Sequence, residues 1–186
     1  MLLKLLQIFQ NKKRLLWDRQ YRLGQWDVLW SSIEEQRFQA LVDTTRPYMD
    51  GAAILDIGCG EGILIPKLDK IYKSYLGIDI SKVAVRRAGK YKDEIHRFLC
   101  RDMERYMPKG RYDVVIFNEC LNYSKDPIGL MNRIRNKLNL GGIIAVSLFE
   151  NSATIRTVEE IEAKFNCIDK RVTSNNRGTW HCLILQ

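Results

Sequence analysis

Residues 54–62, Ile-Leu-Asp-Ile-Gly-Cys-Gly-Glu-Gly, run an apolar strand into a glycine-rich turn. Twenty-three residues after Asp56, a second apolar strand closes on an acid in Tyr75-Leu-Gly-Ile-Asp79. An acid inside the first strand, a loop that exposes its backbone and an acid ending the next strand describe a nucleoside-cofactor pocket. A dinucleotide fingerprint would want glycines at 58, 60 and 63, but position 63 is Ile and the third glycine is Gly62. Asp56 also stands where a pyrophosphate site keeps an apolar residue. The spacing therefore speaks against a dehydrogenase.

Working outward, strand and helix patterns alternate from residue 53 onward, which implies parallel strands with helices on both faces. Strands are expected near 53–58, 74–79, 95–100, 112–118 and 142–149, and helices near 62–71, 82–91, 127–138 and 153–165. Pro66 fits a helix only in its first turn. Asn139-Leu-Gly-Gly142 reads as a helix stop and a turn. Residues 167–174 and 179–185 read as strands joined through Asn175-Asn-Arg-Gly178, a hairpin signal.

Ligands of open α/β sheets bind beyond the carboxyl ends of the strands, so the residues there carry the chemistry. The third strand ends in Cys100-Arg-Asp102-Met103. The fourth, Asp113-Val-Val-Ile-Phe-Asn118, delivers Asn118, Glu119 and, further on, Tyr123 to the same edge. Cys59 in the glycine loop reads as a small residue filling a tight turn, since neither His96 nor His181 is adjacent to act as its base. With so few histidines and no acid cluster at ligand spacing, no metal is expected.

These motifs resemble the class I S-adenosylmethionine (SAM)-dependent methyltransferases, whose first motif reads close to Leu-Asp-Ile-Gly-Cys-Gly-x-Gly. The likeness covers roughly residues 50–150. It implies an α/β fold: a Rossmann-like seven-stranded methyltransferase sheet with helices on both faces and a C-terminal antiparallel hairpin. It implies SAM as cofactor, with Gly58, Cys59 and Gly60 approaching the methionine moiety and Asp56 helping to hold its ammonium. Asp79, followed by Ile80, would accept from the ribose hydroxyls. Asp102 and Met103 would meet the adenine, and Asn118 would border the cofactor. Glu119 is the candidate for orienting or deprotonating an acceptor, with Tyr123 shaping the pocket.

The fourth strand lacks the Asn/Asp-Pro-Pro-aromatic run of DNA adenine methyltransferases and the Pro-Cys pair of cytosine-C5 enzymes. Asn118 also stands where catechol-type enzymes show a metal-ligating aspartate. A small-molecule acceptor follows. The Asn-Glu-x-Leu-x-Tyr pattern, with Tyr-x-x-Gly-x-Trp upstream, is similar to bacterial methyltransferases of nodulation-factor and exopolysaccharide pathways, and suggests a sugar or glycan acceptor. The alternatives are an RNA methyltransferase and a catalytically inactive SAM-binding subunit.

The net charge of +8 and five cysteines without a CxxC pair frame that reading. The cysteines point to a reducing, cytoplasmic setting. The cations are scattered over helical faces, so nucleic acid is the less favoured partner. Residues 1–18 read as an amphipathic helix, with Lys4, Gln7, Asn11, Arg14 and Asp18 opposite Leu2, Leu5, Leu6, Phe9 and Leu16. It does not read as a signal peptide, since its apolar run is short and broken by Gln7, its cations mostly follow that run and no small-residue cleavage site is expected. It either covers the core or site, or makes a peripheral contact with an anionic membrane. Ser31-Ser-Ile-Glu-Glu35 reads as a capping box for a helix carrying Phe38, Leu41 and Val42 inward. Residues 1–50 thus form a helical lid or extension, in which Tyr21 and Trp26 either face the sulfonium or the acceptor or simply pack against the sheet, and residues 51–186 form the core.

Overall fold

The computed structural model describes residues 2–186, with side chains from residue 12 onward. Seven strands form one sheet: β1 (Ala53–Ile57), β2 (Ser74–Asp79), β3 (His96–Cys100), β4 (Tyr112–Asn118), β5 (Leu138–Phe149), β6 (Cys167–Asn175) and β7 (Gly178–Leu185). Their spatial order is β3-β2-β1-β4-β5-β7-β6, with β7 antiparallel to both β5 and β6. The chain winds outward from β1 through β2 to β3, then returns to place β4 on the other side of β1. That reversal opens a crevice beyond the carboxyl ends of β1 and β4.

The central strands are apolar on both faces, as strands covered on both sides must be. Successive residues point to opposite sides. Leu55, Ile57, Val115, Phe117, Ile144 and Val146 therefore share one core with α4 (Pro127–Arg135) and α5 (Ser152–Lys164). Ile54, Val114, Ile116, Ile143 and Ala145 face the other core with Phe38 and Leu41 of α2 (Glu35–Thr45). The expected inward set Phe38, Leu41 and Val42 is fully buried. On the edge beside β2 lies α3 (Lys82–Ala88), and against it packs α1 (Leu2–Arg22) through Tyr21, Val83 and Ala84.

Four local expectations are corrected. Residues 62–71 form no α-helix but a chain of turns with one short 3-10 piece at Ile65–Lys67. Pro66 has no N–H to give, and the Ile65 N–H bonds to the Gly62 carbonyl, three residues back. Asn139–Gly142 lies inside β5, where Gly141 takes φ 77° and the ladder with β4 shifts register between Tyr112 and Val114. That is a bulge rather than a turn. Accordingly α4 stops at Arg135, short of residue 138. No capping box forms at 31–35: Ser31 Oγ donates backward to the Val28 carbonyl at 2.6 Å, and Glu34 is drawn into a buried ion pair. The amphipathic stripe expected over residues 1–18 falls partly on residues 1–11, whose side chains lie outside the described set.

Candidate active site

One cavity of about 390 Å³ opens at the crevice, within the size range of small-molecule and cofactor sites. Gly58, Cys59 and Gly60 form its floor, while Asp79 and Ile80 come from the end of β2. Asp102 and Met103 follow β3, and Asn118, Glu119 and Tyr123 follow β4. Every candidate residue from the sequence except Asp56 lines this one space.

The glycine loop is shaped for close approach. Gly58 and Gly60 take φ 75° and 55°, a region costly for residues with a Cβ. A Cβ at 58 would lie 2.5 Å from Cys120 Cβ, and one at 60 would lie 2.9 Å from the Tyr21 hydroxyl oxygen. The Gly60 N–H donates to Asp79 Oδ2 at 3.1 Å, and the Ser81 N–H donates to Oδ1 at 2.7 Å. These bonds fix the carboxylate and leave it acceptor capacity toward the cavity. Burial raises its pKa to about 6 against the pull of those N–H donors. Cys59 is buried against Gly77, and desolvation pushes its thiol well above the ordinary value, so it carries no nucleophile. His96 is held between Tyr72 and Asp93 and His181 beside Glu150, and neither lines the cavity.

Asp56 lies under the loop. Its Oδ2 accepts from the Tyr75 hydroxyl, while Oδ1 is buried and receives no hydrogen bond from the protein. Desolvation raises its pKa from 3.8 to about 7. A folded pKa above the unfolded one means that the native state keeps a proton the unfolded chain has released. The stability Asp56 contributes is full below pH 3.8 and lost as pH rises through about 7. Asp56→Asn is therefore expected to stabilise the cofactor-free protein at pH 8, by at most about 4 kcal/mol. The gain should shrink toward pH 4, as read by urea unfolding at both pH values. An equal gain at both would remove the ionisation argument.

Asp102 turns the chain, its Oδ1 accepting from the Glu104 N–H at 3.1 Å, and stays half-buried at the cavity edge. Glu119 follows the last residue of β4 with φ 54°, the one positive φ at a non-glycine among the described residues. The Ser147 hydroxyl donates to its Oε1 at 2.7 Å and the Phe149 N–H to its Oε2 at 2.8 Å. Burial raises its pKa, with Ser147 and the Arg37 charge opposing. Each oxygen keeps a lone pair beyond these bonds.

The structure adds a further wall that sequence patterns did not single out. Glu34 and Arg37 are buried as an ion pair, and Glu34 also accepts from Arg177 at the β6–β7 turn. Arg37 Nη1 donates to Asn118 Oδ1 at 3.1 Å, and its guanidinium lies 4.0 Å from the Phe38 ring centre. Asn175 Nδ2 ties the same hairpin to the Ile33 carbonyl at 2.6 Å. Trp180, Phe149 and Asn151 complete that side. The hairpin signal was legible; its position over residues 33–37 was not.

Helix α1 closes the opposite side. Asp18 Oδ1 accepts from the Ser81 hydroxyl at 2.7 Å and from the Val83 N–H at 3.1 Å, anchoring α1 to the start of α3. Trp17 stacks on Trp26 with centroids 5.5 Å apart and meets Tyr123 edge-on at 4.7 Å. Lys13 Nζ donates to the Tyr123 carbonyl at 3.3 Å. Tyr21 and Trp26 do face the cavity, with the Tyr21 hydroxyl over the glycine loop.

The cavity fits a nucleoside cofactor with a cationic tail: the fixed Asp79 carboxylate, a floor in which Gly58 and Gly60 carry no Cβ, and the orphaned Oδ1 of Asp56 beneath. Among the described residues no group of three or more His, Cys, Asp or Glu is placed to hold a metal ion.

Residues 33–182 match the model of a family described as methyltransferase domain. A malonyl-[acyl-carrier protein] O-methyltransferase of Ilyobacter polytropus is 32% identical over 120 residues, covering 62% of this chain and 43% of the relative. A ubiquinone biosynthesis O-methyltransferase of Bradyrhizobium diazoefficiens is 28% identical over 102 residues, covering 53% of this chain and 40% of the relative. The chain thus spans less than half the length of these two curated relatives. The N-methyltransferase NodS from Bradyrhizobium japonicum, solved with S-adenosyl-L-homocysteine, superposes with a TM-score of 0.76 at 18% identity, covering 86% of this chain and 90% of that one. That likeness establishes the shared sheet. With the family match spanning most of its length, the chain belongs to the methyltransferase domain family and has the class I, SAM-dependent methyltransferase fold.

Proposed function

We propose that the protein transfers a methyl group from SAM to a hydroxyl or amine of a small, sugar-like acceptor. The observation that carries this reading is the convergence of Asp79 and the glycine loop with Asn118 and Glu119 on one cavity. Asp79 takes the ribose hydroxyls, Gly58 and Gly60 admit the methionine backbone, and Asp56, beneath the loop, reaches the ammonium from Oδ1 through water. Ile80, Asp102 and Met103 border the base. Bound there, SAM would supply a methyl group on an electrophilic sulfonium.

This chain's residues then have two tasks, alignment and proton removal. Glu119, held by Ser147 and Phe149, takes the proton from the acceptor heteroatom, and burial raises its pKa, which makes it a stronger base than an exposed carboxylate. Asn118 is fixed by Arg37 and borders the cofactor where it meets the acceptor. The aromatic Trp180 and Phe149 line the cavity together with Asn118, Asn151 and Glu119. Apolar faces next to fixed hydrogen-bonding groups suit a polyol. Residues 1–50, with α1 packed on Tyr123 through Trp17, form the lid, and residues 51–186 the core beneath it.

The curated relatives are named O-methyltransferases and the structural neighbour an N-methyltransferase, so both acceptor atoms remain within the reading. Labelled SAM offered with sugar and amino-sugar extracts should pass label to a polar metabolite and leave total RNA unlabelled. Label in RNA alone would overturn the acceptor class. Binding without transfer to any pool would favour a non-catalytic subunit.

A further inference from the structure

We propose that α1 docks the protein on an anionic lipid surface through the arc of the helix that faces away from the cavity. Between residues 12 and 23, the positions Lys12, Leu15, Leu16, Arg19, Arg22 and Leu23 are all exposed. At 100° per residue the five within α1 fall on one continuous arc, and Leu23, the first residue past the helix, extends it with its N–H bonded to the Arg19 carbonyl at 3.0 Å. Leu15, Leu16 and Leu23 are 55%, 54% and 61% exposed, a concentration of leucine with no cover from the rest of the fold. The opposite arc carries Lys13, Trp17 and Tyr21 into the cavity wall and Asp18 onto α3.

Charge complementarity selects the occupant. Asp18 is the one acid in residues 1–23, and it is 3% exposed and turned inward. The outward arc therefore offers leucines flanked by three cations and no anion, on a protein of net charge +8. An apolar stripe rimmed only by cations matches the boundary between acyl chains and anionic headgroups, whereas a neutral apolar partner would leave the cations without purpose. The sequence continues the pattern: Leu5, Ile8 and Phe9 stand seven residues before Lys12, Leu15 and Leu16. No helix among the described residues is long and apolar enough to cross a membrane, so the contact lies on the surface. Because the two arcs belong to one rigid helix, docking would tie access to the cavity to the lipid surface.

The test is flotation of the full chain with vesicles of phosphatidylcholine alone, or of equal parts phosphatidylcholine and phosphatidylglycerol, at low and high salt. The wild type should float with the anionic vesicles at low salt and far less with neutral ones. Lys12→Gln/Arg19→Gln/Arg22→Gln should lower partitioning about a hundredfold, at about fivefold for each cation near such a surface. Leu15→Glu/Leu16→Glu/Leu23→Glu should lower it at least about tenfold. Neither set lines the cavity, so both variants should retain the wild-type circular dichroism and adenosylhomocysteine affinity. No flotation of the wild type, equal flotation with both vesicles, or flotation retained by both variants would each overturn the proposal. So would a stable dimer, seen by sedimentation velocity, that the leucine variant dissociates. Flotation needs no methyl transfer, so it can fail while the catalytic reading stands, and the reverse.

Discussion

Asp79→Ala is expected to weaken binding of SAM and adenosylhomocysteine by about 2–4 kcal/mol, roughly thirtyfold to a thousandfold in Kd. A ribose brings two hydroxyl donors, and each hydrogen bond to a charged acceptor contributes about 1.5–3 kcal/mol. The same carboxylate also receives the Gly60 and Ser81 N–H groups, so alanine loosens the glycine loop as well as removing the acceptor. Asp79→Asn separates the two effects, because it keeps the shape and an acceptor oxygen while removing the charge. The wild type carries its own internal control in pH. With a pKa of about 6 in the free protein, Asp79 is charged above that value and takes up a proton below it. Cofactor binding favours the charged form, so the Asp79 contribution to affinity should hold above pH 6 and fall about tenfold per pH unit beneath it, as a step separate from that of Asp56 near 7. Calorimetry from pH 5 to 8 should show that fall in the wild type, with the Asn variant lacking the Asp79 step. Wild-type affinity in Asp79→Ala would remove the ribose assignment, and tighter binding of NAD than of SAM would remove the cofactor.

The cofactor half was legible in the sequence because its parts are local and periodic. Each strand is a short apolar run closed by glycine or an acid, and the carboxyl end of a parallel strand has one place to go. The spacing of Gly58, Gly60, Asp79, Asp102 and Asn118 therefore fixed their meeting point without any contact being known. The wall around Glu34 and Arg37 is built differently. Glu34 and Arg177 are 143 positions apart in the chain and meet only because the β6–β7 hairpin folds back over α2. In sequence, Glu34 and Arg37 look like an ordinary helix-surface pair, and burial alone makes them part of a site. Residues 62–71 misled in the opposite sense. Ile63, Leu64, Ile65 and Leu68 have helical spacing and are buried, but Pro66 and the left-handed Gly62 let them reach the core through turns.

The same division explains Glu119. Its position after β4 could be read from the strand pattern, but its left-handed backbone and its two donors from β5 could not. Those donors make Glu119→Gln an unusually clean substitution. The Gln oxygen can accept from the Phe149 N–H, and its amide can donate to Ser147 Oγ, whose hydroxyl is free to rotate and accept. Fold and cofactor affinity should therefore survive, while the variant loses charge and basicity. If Glu119 removes the acceptor proton, turnover should fall about 10²–10⁴-fold. The wild-type rate should decline at low pH as Glu119 protonates, above the usual carboxylate range because burial raises its pKa. The variant should lose that limb. A loss of tenfold or less, independent of pH, would leave Glu119 as a brace that shapes the end of β4 through Ser147 and Phe149. Loss of cofactor binding in proportion to turnover would move the residue to the SAM side of the cavity. Glu34→Gln, tested in parallel, should disturb Arg37 and Arg177 without abolishing the acidic limb, because its carboxylate is engaged by both guanidinium groups and has no proton to take.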